Sequence, residues 1–301
     1  MGIDAAPEPI REYAQFACLW EATARKPGNV HRFADFEDTT YLDFVASAIA
    51  FGKVFDMFAL ANNVANEFDF PVGARILRAI EATQEVTKTN TNLGIVLLLV
   101  PLAKTHRAKG PRLDILRVLN HLTIEDAQDV YKATALARPA GMGKVDSQDL
   151  SKPPTQTLLQ VMTLAADRDL IARQYANGFR EVFDEGVPAL QQGLKEIVTL
   201  EDAIIHCHLQ LMARHPDSLI ARKCGKELAE EASQRAAAVV AAGWPHTTAG
   251  RTAIVDFDKW LRADGHRRNP GTTADLVAAC LFVALREGII TLPPKVPWSA
   301  G

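Results

Sequence analysis

Residues 92–104 read Asn-Leu-Gly-Ile-Val-Leu-Leu-Leu-Val-Pro-Leu-Ala-Lys. Every position from Gly94 to Ala103 is apolar, as is Leu93 before them, and no longer apolar run occurs in the chain. It falls far short of the roughly 20 residues that span a bilayer. It therefore predicts a buried helix, kinked near Pro101, where the ring and the missing N–H disturb the ladder. A helix that is apolar all round needs neighbours on every side.

Working outward, the chain supplies them. Ile10, Tyr13, Ala14, Ala17 and Cys18 repeat at helical spacing. Asp38 or Thr39 is expected to cap a second, mostly apolar segment, 41–62. Pro71 suits a first helical turn and opens a helix to about Glu85. Thr123 with Asp126, and Thr199 with Asp202, have the spacing of capping boxes before the runs Ile124–Ala137 and Ala203–Arg214. Ala-rich stretches Leu219–Ala242 and Thr273–Glu287 complete the series. Only Gly288–Val296 reads as extended, and Pro293–Pro294 bars it from deep pairing. The expected fold is all-α, one compact multi-helical domain over residues 1–301 with its core at about 9–290. Two segments read as loops, Ala137–Pro154 and Gly243–Arg251, both rich in Gly, Pro and polar residues.

The 301 residues carry 33 Lys+Arg against 36 Asp+Glu, a formal net charge of −3. That balance argues against a protein that binds nucleic acid by bulk phosphate attraction. Four scattered cysteines, Cys18, Cys207, Cys224 and Cys280, form neither a disulfide framework nor a zinc site. The first fifteen residues carry charge where a signal peptide needs an apolar core. A cytoplasmic protein without membrane association is expected.

Four constellations could carry chemistry. In Glu21–Arg32, a helix gives way to a Pro27–Gly28 turn that gathers Glu21, Lys26, Gly28, Asn29, His31 and Arg32. A carboxylate, several cations and an imidazole suit a phosphorylated substrate. The same residues also suit an ordinary helix C-cap, with cations facing the negative end of the dipole. In Thr87–Gly94, five Thr and Asn side chains, Thr89, Asn90, Thr91 and Asn92 among them, crowd the entrance of the apolar helix. Unpaired N–H groups there favour an anion, and one cap explains one such residue, not five. A third set is acidic and helical. Asp167, Asp169 and Arg173 stand in one segment, with Asp169 and Arg173 as i,i+4 partners, and Asp217 and Arg222 in another. Carboxylates of this kind could hold Mg²⁺ while the arginines hold phosphate, or both could be surface ion pairs. The fourth set, Gly265–Leu276, places His266, Arg267, Arg268, Asn269 and Gly271 before a helix in which Thr272 and Asp275 have capping-box spacing.

In this order, the constellations resemble the triphosphoribosyl-dephospho-CoA synthase family. Glu21 with Lys26-Pro27-Gly28 is similar to its opening motif, and Thr89–Gly94 to its Asn-Thr-rich motif. Asp217 with Arg222 and Gly225 resembles its Asp-Thr…Arg-x-Gly segment, Asn269–Leu276 its closing segment, and 167–179 is also similar. The resemblance spans about residues 20–285. Two departures stand out: the family's His and Lys in the second motif are here Asn92 and Leu93, and His31 stands where an acidic residue is usual.

The resemblance implies an ATP-dependent transferase. A ribose hydroxyl of dephospho-CoA, or of a related coenzyme precursor, attacks the anomeric carbon of ATP, and adenine leaves. On this reading Lys26, Arg32, Arg173, Arg222, Arg268 and the 89–94 helix entrance hold phosphate, with Gly28, Asn29, Asn269 and Gly271 around the nucleotide. Asp167, Asp169 and Asp217 hold Mg²⁺. Glu21 or Asp217 steadies the sugar cation, and His31 transfers the proton. The partners are small molecules, and a homodimer is compatible. The departures also admit a transferase serving another, one-carbon-carrying coenzyme. A non-catalytic nucleotide-binding helical protein is the remaining alternative.

Overall fold

The computed structural model describes residues 8–56, 71–106, 109–139, 152–197 and 199–299. Within them lie fourteen α-helices. In chain order they are α1 (Ile10–Thr23), α2 (Tyr41–Phe51), α3 (Val72–Val86), α4 (Leu93–Ala103), α5 (Pro111–Asn120), α6 (Ile124–Ala137) and α7 (Leu158–Ala165). There follow α8 (Leu170–Asn177), α9 (Val187–Glu196), α10 (Leu200–Arg214), α11 (Ser218–Cys224), α12 (Lys226–Ala241), α13 (Thr248–Arg262) and α14 (Gly271–Arg286). A 3-10 turn, Gly52–Phe55, continues α2, and a π-turn, Glu181–Gly186, leads into α9. Among the described residues there is no strand, only an antiparallel bridge between His31 and Ala34. The fold is all-α, as expected.

Two helices form the axis. In α4 every side chain from Ile95 to Ala103 is buried, and in α14 everything from Leu276 to Leu285 is buried. They pack on each other, and α1, α3, α8, α10 and α11 close around them. Pro101 lies inside α4. It has no N–H to offer the carbonyl four residues back, Leu97. The Tyr175 hydroxyl of α8 donates to that oxygen at 2.6 Å, so the buried group is satisfied from outside the helix. A second apolar cluster, including Leu209, Met212, Ile220, Val239, Phe257 and Leu261, lies among α10, α11, α12 and α13. The four cysteines are free.

Capping fixes several boundaries. Thr123 and Asp126 form the expected reciprocal box, and Asp126 also accepts the Gly73 N–H of α3 at 2.7 Å. Pro71 precedes α3, and Thr199 caps α10, which begins at Leu200 and so earlier than expected. The cap of α2 is Thr40 rather than Asp38 or Thr39, because Thr40 forms a reciprocal box with Asp43. The later part of that segment, 57–62, lies outside the described residues. Leu219–Ala242 is two helices, broken at Gly225 with φ +96°. The Gly243–Arg251 loop ends early, since Thr247 caps α13. Of the Ala137–Pro154 loop, 140–151 lie outside the described residues. Thr272 and Asp275 form no box, because α14 starts at Gly271 with Pro270 before it. Gly288–Val296 forms bends and no strand. No helix among the described residues is long and apolar enough to cross a membrane.

Candidate active site

The turn after α1 is held from several sides. Lys26 is fully buried. Its ammonium pairs with Glu21 Oε1 at 2.8 Å and donates to the backbone carbonyls of Glu21 and Ala24. Gly28 has φ +75°, and a Cβ there would press on Leu261 and Pro270, so only glycine fits the corner. Its N–H donates to Asp258 of α13 at 2.7 Å, and Arg262 donates to the Asn29 carbonyl at 2.6 Å. Arg25 and Arg32 both grip Glu201 of α10, Arg32 through two bonds of 2.7 and 2.9 Å. Lys26 and Arg32, both expected to meet phosphate, are therefore committed to protein carboxylates. The Asn29 side chain, by contrast, is buried with no partner for Nδ2.

The Thr/Asn segment divides its work. Thr87 donates to Asp43 at 3.0 Å, and Asn90 Oδ1 accepts the Leu93 N–H at 3.1 Å, supplying the cap that Asn92 does not. Asn92 turns its amide to Thr83 Oγ1 at 2.9 Å. That leaves Asn92 Oδ1 and Thr91 Oγ1 buried and unpartnered.

The two acidic segments are helix starts. Asp169 Oδ1 accepts the N–H groups of Ile171 and Ala172, while Oδ2 binds Arg222, not the i,i+4 partner Arg173. Arg173 donates to the Ala166 carbonyl instead. Asp217 is fully buried: Oδ1 accepts Leu219 and Ile220 N–H, and Oδ2 accepts the N–H and hydroxyl of Thr273 at 2.7 and 2.8 Å. Ser218 accepts the Leu170 N–H and donates to Thr272, so the first turns of α8, α11 and α14 are tied together. Asp167 is exposed beside Arg168.

These starts enclose one large cavity of about 1040 Å³, at the upper end of common small-molecule sites. Its lining includes the polar residues Glu21, Asn29, Lys88, Thr89–Asn92, Asp169, Arg222, Lys223, His266, Asn269 and Asp275, with Gly271. It also includes the apolar residues Val130, Leu136, Leu158, Val161, Met162, Leu164 and Ile171, and Tyr131. The first turns of α4 and α14 open onto it, bringing their positive dipole ends. Asn29 Nδ2, Thr91 Oγ1, Asn92 Oδ1 and Arg222 Nε, all buried and unpartnered, belong to residues of its wall. The side chains of Lys88 and Arg138, which also line it, form no ion pair or hydrogen bond among the described residues. Lys223 donates to Asn269 Oδ1 at 2.9 Å, and burial lowers its pKa.

Several expected site residues do not reach the wall. Lys26, Gly28, Arg32, Arg173 and Arg268 lie behind it, the last against the Trp260 ring. His31 is buried beside it. Its Nδ1 accepts the Phe33 N–H at 3.2 Å, and burial, with Arg262 next, lowers its pKa to about 4. At neutral pH the ring is uncharged and committed, which does not suit the proton transfer expected of it. Asp167, Asp169 and Asp217 do not gather either, and two of them already have their oxygens filled. Among the described residues no three His, Cys, Asp or Glu side chains could share a metal ion. This donor set does not fit Mg²⁺.

A family model, CitG, described as ATP:dephospho-CoA triphosphoribosyl transferase, matches residues 7–291. The chain belongs to this family. It is 25% identical over 247 residues to a protein of Pseudomonas savastanoi pv. phaseolicola, covering 79% of this chain and 76% of that protein. It is 28% identical over 167 residues to one of Pseudomonas syringae pv. syringae, covering 52% and 53%, so it spans about half the length of that relative. Against a Pseudomonas putida protein the figures are 34% over 114 residues, 37% of this chain and 40% of that one. All three are named probable 2-(5''-triphosphoribosyl)-3'-dephosphocoenzyme-A synthase. A solved structure from Archaeoglobus fulgidus, provisionally a triphosphoribosyl-dephospho-CoA synthase, superimposes with a TM-score of 0.59 at 25% identity, over 81% of this chain and 99% of that one.

The cavity also contains residues that sequence reasoning passed over. Lys88, Arg138 and Lys223 give no motif, being single cations in mixed surroundings. Asp275 looked like a cap residue because it stands three places after Thr272. In the fold its carboxyl lies against Gly94 of α4, where a Cβ would overlap it, and burial raises its pKa well above the ordinary value, with Glu21 and Asp217 adding to the effect.

Proposed function

We propose that this protein transfers the triphosphoribosyl group of ATP to a ribose hydroxyl of dephospho-CoA, releasing adenine. The observation that carries the reading is the gathering of Glu21, Lys88, Arg138, Arg222 and Lys223 with the first turns of α4 and α14 around one cavity. A cavity of about 1040 Å³ lined by both polar and apolar residues also has room for a nucleotide and a second large molecule together.

The reaction needs a neutralised triphosphate, an oxocarbenium-like sugar held in place, and a proton for the departing base. Lys88, Arg138, Arg222 and Lys223, with the first turns of α4 and α14, supply positive potential for the first need. Glu21 supplies negative charge for the second, by analogy with glycoside hydrolysis. Lys26, Gly28, Arg32 and Arg268 act by fixing the turn and the wall. Mg²⁺, if it takes part, enters as the counter-ion of the ATP triphosphate and so as part of the substrate. We read the whole chain as one catalytic unit working in the cytoplasm on small molecules.

A second acceptor class is favoured by one observation. At Asn92 and Leu93 the wall offers an amide and an apolar side chain, where the family motif has an imidazole and a cation. That change suits a coenzyme precursor less anionic than dephospho-CoA. Mass spectrometry of products from ATP, Mg²⁺ and a panel of precursors, with free adenine followed in parallel, decides between them. Adenine release with dephospho-CoA supports the first reading, and release only with another precursor supports the second. Tight ATP binding with no turnover of any acceptor would sink both.

A further inference from the structure

We propose that Asp275 is the general acid that protonates adenine as it leaves, and that Glu21 takes the proton of the attacking hydroxyl. The proposal rests on the transferase reading above and names the proton-handling residues within it.

The geometry sets Asp275 apart from every other carboxylate of the site. Asp169 and Asp217 have filled their oxygens with helix N–H groups, Arg222 and Thr273. The Asp275 carboxyl makes no hydrogen bond or ion pair among the described residues, although the residue lines the cavity. It stands one turn into α14 and faces the first turn of α4 at Gly94. A Cβ on Gly94 would overlap the carboxyl, so the glycine makes the recess that holds it. Around it stand Cys18 and Glu21 of α1, Asp169 at the start of α8, and Asp217 and Arg222 of α11, while α4 presents no titratable side chain. Of these, Glu21 lines the same cavity and carries its own cation, Lys26. One carboxyl is thus paired with an ammonium, and its neighbour has no cation of its own. Burial and the nearby Glu21 and Asp217 charges keep the Asp275 proton on well above the usual carboxylate range. A carboxyl without a cation, beside one that an ammonium pairs, is placed to give a proton while its neighbour accepts one.

The step balances. The C1'–N9 bond of ATP breaks with its electron pair on adenine, and Asp275 gives that base a proton. A lone pair of the acceptor oxygen forms the new bond to C1', and the hydroxyl proton passes to Glu21. Proton transfer between the two neighbouring carboxyls then restores the starting state.

The test compares wild type with Asp275→Asn on ATP and on N7-methyl-ATP, whose base leaves neutral without an added proton. With dephospho-CoA, or whichever acceptor gives adenine release, Asp275→Asn is expected to lose at least about 100-fold in kcat on ATP. ATP binding should stay within about threefold, and on N7-methyl-ATP the variant should come within about tenfold of wild type. A kcat on ATP close to wild type overturns the proposal, as does a loss that N7-methyl-ATP leaves unrepaired. A wild type that releases adenine with no acceptor overturns the transferase reading and this inference together. Should the variant fail to fold, wild type alone suffices: its rate on ATP should fall as rising pH ionises Asp275, and that limb should vanish on N7-methyl-ATP. A limb identical on both substrates overturns the acid role.

Discussion

The hydroxyl of Tyr175 donates at 2.6 Å to the carbonyl of Leu97, the group that Pro101 leaves without a helical partner. Both ends of the bond are buried, so its loss strands a carbonyl in the core. Tyr175→Phe is expected to lower stability by about 1–3 kcal/mol in urea unfolding. Pro101→Ala returns an N–H to α4 and should make the same Tyr175→Phe change milder. Equal costs in both backgrounds would show that the two features are independent.

Asp275 also predicts a pH dependence of stability. Burial raises its pKa above the ordinary 3.8, so the folded chain binds this proton more tightly than the unfolded chain does. Its stabilising share is complete below about 3.8 and is lost as pH rises toward the folded value. Asp275→Asn carries no charge to bury and should be more stable than wild type near pH 8, by about 1–2 kcal/mol. The gain should shrink toward pH 4. Thermal melts across that range check it, and a variant less stable than wild type at pH 8 contradicts it.

The axis of the fold was legible because burial on all sides leaves a plain mark, as in 94–103. Reciprocal caps such as Thr123–Asp126 were legible for the same local reason. What failed depended on partners far away in the chain. Arg32 has the chemistry of a phosphate ligand, and only the fold brings Glu201 to occupy it. Asp217 looks like a metal ligand until Thr273 fills its second oxygen. Asp275 fails the other way: its spacing from Thr272 suggests a cap, yet the helix starts earlier and leaves the carboxyl facing the cavity. The crowded Thr/Asn segment was the safest site signal, since it held more polar groups than one helix start can use.

Arg222 joins the wall to the frame, with one nitrogen on Asp169 and Nε unpartnered. Arg222→Ala should raise the ATP KM by about 10-fold to 100-fold, the loss of one charge-assisted bond of about 1.5–3 kcal/mol. Arg222→Lys cannot serve both directions and should recover only part of this. Isothermal titration with ATP separates the binding loss from any change in turnover. Unchanged ATP affinity in Arg222→Ala would remove this residue from the nucleotide site.

Leu164 is one of the apolar residues lining the cavity and is partly open to solvent. Leu164→Asp should leave ATP affinity within about twofold and raise the acceptor KM by about 10-fold, since a carboxylate there opposes apolar contact. Steady-state kinetics with each substrate varied in turn gives both numbers. An equal rise for ATP would place the nucleotide, and not the acceptor, against α7.

His31 sets an acid limit on the fold. Burial lowers its pKa from 6.5 to about 4, and Arg262, Lys26 and Arg32 add their repulsion. The folded chain therefore holds this proton less tightly than the unfolded chain. The stability it contributes is present above about 6.5 and is lost as pH falls through about 4. After allowing for solvent screening the effect should amount to about 1–2 kcal/mol. His31→Gln keeps an acceptor for the Phe33 N–H without a titrating ring. It should flatten the fall in melting temperature between pH 6.5 and 4 while leaving the neutral-pH rate within about threefold. A large loss of turnover at pH 7.5 with an unchanged melt would return the proton-transfer role to His31 and take it from Asp275.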